Sequence, residues 1–156
     1  MRAASSAAAL LDGARIHVVA AHSDDETLGC GGLLALARGR SEIRVSVLAD
    51  GVSSRFPTLD DAGRMIVDRE ERAVAALGRL GVGDVHFHRL RDNAMDSYAL
   101  LDVIRCIESD AEGFHADIIL LPWIGDLNID HELASRAGLT AYRPLPGSTA
   151  SLVLMY

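Results

Sequence analysis

The chain alternates short aliphatic runs with longer helical stretches, and that rhythm narrows the fold more than any other feature. Ile16–Ala21 reads as a first strand and Thr27–Arg38 as a helix. Ile43–Ala49 is a second strand, closed by the turn-like pair Asp50-Gly51. A polar loop through Arg55 and Pro57 leads into a long helix from about Ala62 to Leu80, stopped at Gly81 as helix C-termini often are. Val85–His88 reads as a third, short strand, Tyr98–Glu108 as a helix, and the fully apolar Ile118–Leu121 as a fourth strand ended by Pro122. A helix from about Asp130 to Tyr142, then Pro144 and Pro146, and a fifth strand over Ser151–Met155 complete the pattern.

Strands and helices in this order imply βαβ units and a parallel sheet covered on both faces. Apolar residues make up 49% of the chain and aromatics only 4%, a balance that suits aliphatic buried strands better than a β-sandwich. The expectation is one α/β domain over residues 1–156, a Rossmann-like three-layer α/β/α architecture with a mostly parallel sheet, without repeats or linkers. In such a sheet a ligand site lies beyond the carboxyl ends of the strands, where strand order reverses. The tips after strands one and four are therefore the places to look for chemistry.

After strand one the sequence reads Ala21-His22-Ser23-Asp24-Asp25-Glu26, followed by Gly29-Cys30-Gly31-Gly32. A glycine-rich turn here invites a dinucleotide reading, but a pyrophosphate needs bare backbone N–H groups at the helix start. Three consecutive carboxylates would repel it. The same groups suit a cation, since imidazole with carboxylate is a common zinc set. His22 and Asp25, three apart at a helix start, can turn toward one point. The tip after strand four, running from Trp123 through Asp126 and Asn128 to Asp130 and His131, supplies a third donor in His131. Three protein ligands with one position left for water mark a catalytic rather than a structural zinc site. Taken singly, Asp24, Asp25 or Asp130 would pass as ordinary helix caps. It is the conjunction of two clusters at two strand tips that favours a metal. His17, His86, His88 and His115 are expected to be structural or at the surface.

Charge and cysteine usage set the outer limits. The chain holds 22 acidic and 15 basic residues, for a net charge of -7, and no basic cluster dense enough for a nucleic-acid face. Cys30 and Cys106 stand far apart in no metal-type spacing, which points to a reducing compartment. No run approaches the roughly 20 apolar residues of a membrane span, and Ala7–Leu11 is too short for a signal h-region. The default expectation is a soluble cytoplasmic protein.

On these residues the chain resembles the PIG-L/LmbE family of zinc-dependent deacetylases. The first family motif, Ala-His-Pro-Asp-Asp-Glu with a glycine-containing turn, is matched by AHSDDETLGCGG. The second, an Asp-His pair after a late strand, is matched by NIDH. Segments around Asp50–Arg55, Arg69–Gly81 and Leu90–Asn93 also look like family segments. The resemblance implies His22, Asp25 and His131 as Zn2+ ligands, Asp24 as general base, and Asp130 as a group orienting a histidine. It further implies Arg69 and Asp92 as sugar-contacting positions. Apart from the resemblance, Arg55, Arg69 and Arg91 are candidates for a local positive rim on an otherwise acidic chain. The implied reaction removes acetate from an N-acetylated amino sugar of the N-acetylglucosamine type, a small-molecule conjugate, leaving a free amine.

Three departures from the family pattern stand out. Ser23 replaces proline, which alters loop stiffness more than chemistry. Asn128 stands where several members carry a histidine that assists the intermediate or leaving group, so the general acid is unassigned unless Asp24 returns the proton itself. Family chains usually continue past Tyr156, and an exposed apolar last strand is an edge liability unless another chain covers it, which admits a homo-oligomer. Two other readings stay open: a related amide hydrolase of sugar conjugates, and a metal- or sugar-binding module without turnover.

Overall fold

β1 (Arg15–Ala20) is buried at every position after Arg15, as a strand must be when helices cover both faces of its sheet. The computed structural model describes residues 9–56, 59–145 and 149–156. Pro57, Pro146 and the start of the Ala7–Leu11 run lie outside them. β1 is joined by β2 (Glu42–Ala49), β3 (Asp84–Leu90), β4 (Ile118–Leu121) and β5 (Leu152–Met155). Their order is β3-β2-β1-β4-β5, and every neighbouring pair is parallel. The sheet is therefore fully parallel, and its order reverses beside β1, between β1 and β4.

Among the described residues it is flanked by α1 (Asp25–Ala37), α2 (Leu59–Arg79), α3 (Leu100–Ala111) and α4 (Ile129–Ala141). Period-two alternation along β1 divides the core. Ile16, Val18 and Ala20 pack with Leu34 of α1 and Leu77 of α2, whereas Val19 packs with Ile104 and Ile107 of α3 and Ala134 and Ala137 of α4. That gives the three expected layers. Element bounds differ from the sequence expectation by a few residues, chiefly at helix starts, where caps rather than apolar spacing decide the boundary. β3 runs past the expected Val85–His88 to include Asp84, Arg89 and Leu90, the exposed Arg89 interrupting the pattern before Leu90.

Three of the histidines outside the strand tips, His17, His86 and His88, form a polar network between the sheet and α3, while His115 lies exposed at the surface. His17 is fully buried, with Nε2 2.7 Å from Ser46 Oγ and Nδ1 against the Tyr142 hydroxyl. Asp110 of α3 receives His86 Nδ1 at 2.8 Å and His88 Nε2 at 2.7 Å, together with the Ser46 hydroxyl. Burial pushes His17 down to about 4. Burial also works against protonation of His88, but its bond to Asp110 prevails and pushes it up to about 9. These residues pin α3 to the sheet and lie on structural duty, as expected for His17, His86 and His88.

At the other edge, Tyr156 closes the described chain by turning its ring onto α1. Its hydroxyl donates to the Val19 carbonyl at 2.9 Å. A Cβ at Gly29 would stand 2.0 Å from the ring, so only glycine lets the ring approach this closely. Beyond it, Val153, Leu154 and Met155 leave β5 with an exposed apolar edge. Among the described residues no helix is long and apolar enough to cross a membrane.

Candidate metal centre

The tips of β1 and β4 meet at the reversal point. His22 follows β1, Asp25 opens α1, and His131 lies in the first turn of α4. His22 Nδ1 stands 3.3 Å from His131 Nε2 and 3.6 Å from Asp25 Oδ2, and His131 Nε2 is 3.4 Å from that same oxygen. Ligands held at about 2.0–2.2 Å by a tetrahedral zinc are separated by about 3.4 Å. The three donors thus already form a triangle of the size one small divalent ion requires.

The outer nitrogens fix the inner ones. His22 Nε2 donates to Asp130 Oδ2 at 3.0 Å and lies 3.2 Å from Asp92 Oδ1. His131 Nδ1 donates to Asp126 Oδ2 at 3.0 Å. A ring whose far N–H is held by a carboxylate presents its other nitrogen to the metal and is a better donor for it. Burial alone would lower His22, but its bonds with Asp130 and Asp25 prevail and push it up to about 10. Burial would raise Asp25 and Asp130, yet hydrogen bonding to His22 leaves both below the usual carboxylate range.

A second group, His22, Asp92 and Asp130, is also close enough to hold an ion. Its oxygens are already engaged. Asp130 is fully buried and accepts the backbone N–H groups of Asn93 at 2.8 Å and Met95 at 3.0 Å. Asp92, 6% exposed, accepts from the Ser54 hydroxyl and from Asn93 Nδ2. Both carboxylates serve to hold His22 rather than to offer an open ligand position.

Capping competes with catalysis for the remaining groups, and the outcome differs between them. Asn128 is the N-cap of α4, its Oδ1 accepting Asp130 N–H at 2.9 Å, which leaves its Nδ2 toward Asn93 at 3.5 Å. Asp24 occupies the N-cap of α1 but makes no capping bond, and Asp25 turns back to accept His22 N–H at 2.8 Å. The Asp24 carboxylate, next in sequence to Asp25, is left clear of capping duty. Arg69 does not stand alone at a rim: its Nη2 donates to Asp24 Oδ1 at 3.1 Å and to the Ser23 carbonyl at 3.0 Å. Arg55, Arg69 and Arg72 line a cavity of about 220 Å³ with Phe56 and Met65.

Two residues with parts in this geometry are given no role of their own by the sequence. Asp126 lies five positions before His131 in a loop outside either motif. Glu26, 1% exposed, accepts the Asp24 N–H at 3.1 Å and the Thr27 hydroxyl at 2.9 Å, and burial raises its carboxyl.

A doubly wound parallel domain with a His-Asp-His triangle at its switch point defines the class. Residues 17–142 match the family model of GlcNAc-PI de-N-acetylase (PIG-L), and the chain belongs to that family. The fold is similar to that of N,N'-diacetylchitobiose deacetylase from Pyrococcus horikoshii, with a TM-score of 0.77 at 16% identity over 94% of this chain and 61% of that one. The conserved protein TT1542 from Thermus thermophilus gives 0.72 at 22% identity, over 92% and 66%. GalB, the 4-carboxy-2-hydroxymuconate hydratase from Pseudomonas putida, gives 0.70 at 22% identity, over 92% and 62%. The chain thus spans less than two thirds of the length of these structures. No curated protein matches it by sequence.

Proposed function

We propose that the chain is a zinc-dependent N-deacetylase domain that removes acetate from an acetylated amino sugar, a small-molecule conjugate of the N-acetylglucosamine type. The observation that carries this reading is a His22-Asp25-His131 donor triangle of zinc dimensions in a chain of the PIG-L family, with the uncapped Asp24 next in sequence to Asp25. Zinc held by His22, Asp25 and His131 would supply Lewis acidity to the acetyl carbonyl and to a water.

The protein's own groups divide the remaining work. Asp24 takes a proton from the attacking water. It is the carboxylate among the described residues that stands here uncommitted to a cap or a histidine, so it also returns the proton to the departing amine. Asn128 spends its carbonyl on α4 and keeps an N–H₂ to donate to a substrate oxygen. It cannot transfer a proton at neutral pH, so acid and base duties both fall on Asp24. Asp130 and Asp92 hold His22, and the cavity bordered by Arg55 leaves room for the group attached to the sugar. Cys30 and Cys106 are both free, in keeping with a reducing, cytoplasmic setting.

Two features favour other readings. A hydratase shares the fold, so the fold alone does not fix the reaction. Asn128 in place of an acid suits a metal- or sugar-binding module without turnover, or an amidase with a better leaving group. Zinc content and acetate release from a panel of N-acetylglucosamine conjugates, compared between the native chain and Asp24→Asn, separate them. The deacetylase reading expects about one zinc per chain in both, with acetate released only by the native protein. Zinc without acetate from any conjugate would favour the binding module.

A further inference from the structure

Asp24 is held in a backbone conformation it would not choose. Its φ of 154° with ψ of -25° is a region that non-glycine residues rarely enter, and such strain persists only where surrounding contacts impose it. Two groups do so. Glu26 accepts the Asp24 backbone N–H, and the Arg69 guanidinium grips the Asp24 carboxylate and the Ser23 carbonyl with one nitrogen. The path of Arg69 depends on Gly51, whose φ is 65°. A Cβ there would stand 2.8 Å from Arg69 Nε and 3.2 Å from Cζ. Nε itself is buried without a partner among the described residues. A buried orphan N–H is a cost, and here it accompanies a placement that serves the far end of the side chain.

We propose that Arg69 is a positioning residue for Asp24, fixing where the base carboxylate stands, and not primarily a contact to the sugar. This rests on the reading of Asp24 as the base. A guanidinium is charged at every working pH and planar, so it sets the direction of a carboxylate better than an ammonium can. A base displaced by about 1 Å can cost on the order of a hundredfold in rate, and that loss falls on turnover rather than on substrate affinity. A residue that touched only the sugar would instead show itself in KM.

The test compares zinc-loaded native protein, Arg69→Ala and Arg69→Lys on N-acetylglucosamine conjugates, with Asp24→Asn alongside. Arg69→Ala is expected to lose about tenfold or more in kcat, with KM within about twofold and zinc content unchanged. Arg69→Lys, or free guanidinium added to Arg69→Ala below denaturing concentration, is expected to restore part of the loss. A rise in KM at constant kcat would overturn the proposal. A readout independent of turnover is the thermal double-mutant cycle of Asp24→Asn with Arg69→Ala, expected to be non-additive. Strict additivity would overturn the clamp even if the enzyme is active. Should the native chain release no acetate, the deacetylase reading fails, and the cycle alone decides whether Arg69 holds Asp24.

Discussion

The Asp126 carboxylate joins the loop after β4 to the metal triangle: Oδ2 lies 3.0 Å from His131 Nδ1, while Oδ1 accepts the Asn128 backbone N–H at 2.9 Å. One side chain thereby sets both the tautomer of His131 and the entry to α4. Replacing Asp126 by Ala should weaken zinc binding about tenfold or more, the usual effect of removing a carboxylate behind a ligating histidine. Chelator competition measures it, and an unchanged affinity would deny Asp126 this role.

Asp130 does the same for His22 from a fully buried position, and its loss should cost more. Asp130→Ala strands the N–H groups of Asn93 and Met95 away from water, a destabilisation of about 3 kcal/mol. Denaturant melts of the two variants should therefore rank Asp130→Ala well below Asp126→Ala. Equal stability would mean that water reaches the Asn93 and Met95 amides.

The polar network under α3 gives stability an opposite dependence on pH at each end. His88 is raised to about 9 in the fold from an ordinary value near 6.5. Its contribution is fully present below about 6.5 and is lost as pH rises through 9. His17 is depressed to about 4, so the unfolded chain takes up its proton first, and stability falls as pH drops from about 6.5 toward 4. Melting temperature followed from about pH 4 to about pH 10 should show both limbs, with His88→Gln flattening the alkaline one and His17→Gln the acid one. A limb that survives its own substitution would belong to another group.

Gly29 is fixed by the ring of Tyr156 rather than by its own backbone. Gly29→Ala should destabilise the domain by about 1–3 kcal/mol through overpacking, because a Cβ there overlaps the ring. Pairing it with Tyr156→Ala tests the cause. The cost of Gly29→Ala should shrink once the ring is gone, and a constant cost would place it elsewhere.

The fold is largely legible in the sequence. Apolar runs of four to eight residues separated by helical spacing fix a doubly wound sheet, and the parallel order β3-β2-β1-β4-β5 brings the two motif-bearing tips together. His22, Asp25 and His131 were readable because their spacing is local to each tip. What was not readable depends on partners from elements far apart in the chain. Arg69 is marked in the sequence only as a sugar-contacting position, and its bond to Asp24 is not readable until α2 is laid beside α1. Asp126 is an ordinary loop acid until α4 turns His131 toward it. His86 and His88 alternate on a strand edge, with nothing in their spacing to announce Asp110. Glu26 closes the acidic run of the first motif, and nothing in its spacing announces that it is buried as the anchor of the residue two places before it.

The two histidines of the triangle are 109 positions apart, so an ion gripping both closes a loop of most of the chain. A permanent cross-link of that span removes about 4–5 kcal/mol of freedom from the unfolded ensemble, and a tightly held ion approaches this limit as a removable one. It ties the exit of β1 to the entry of α4, the two segments whose meeting creates the cleft. An ion held there as proposed would link its own loading to the stability of the domain, so that stripping it with a chelator would lower the melting temperature.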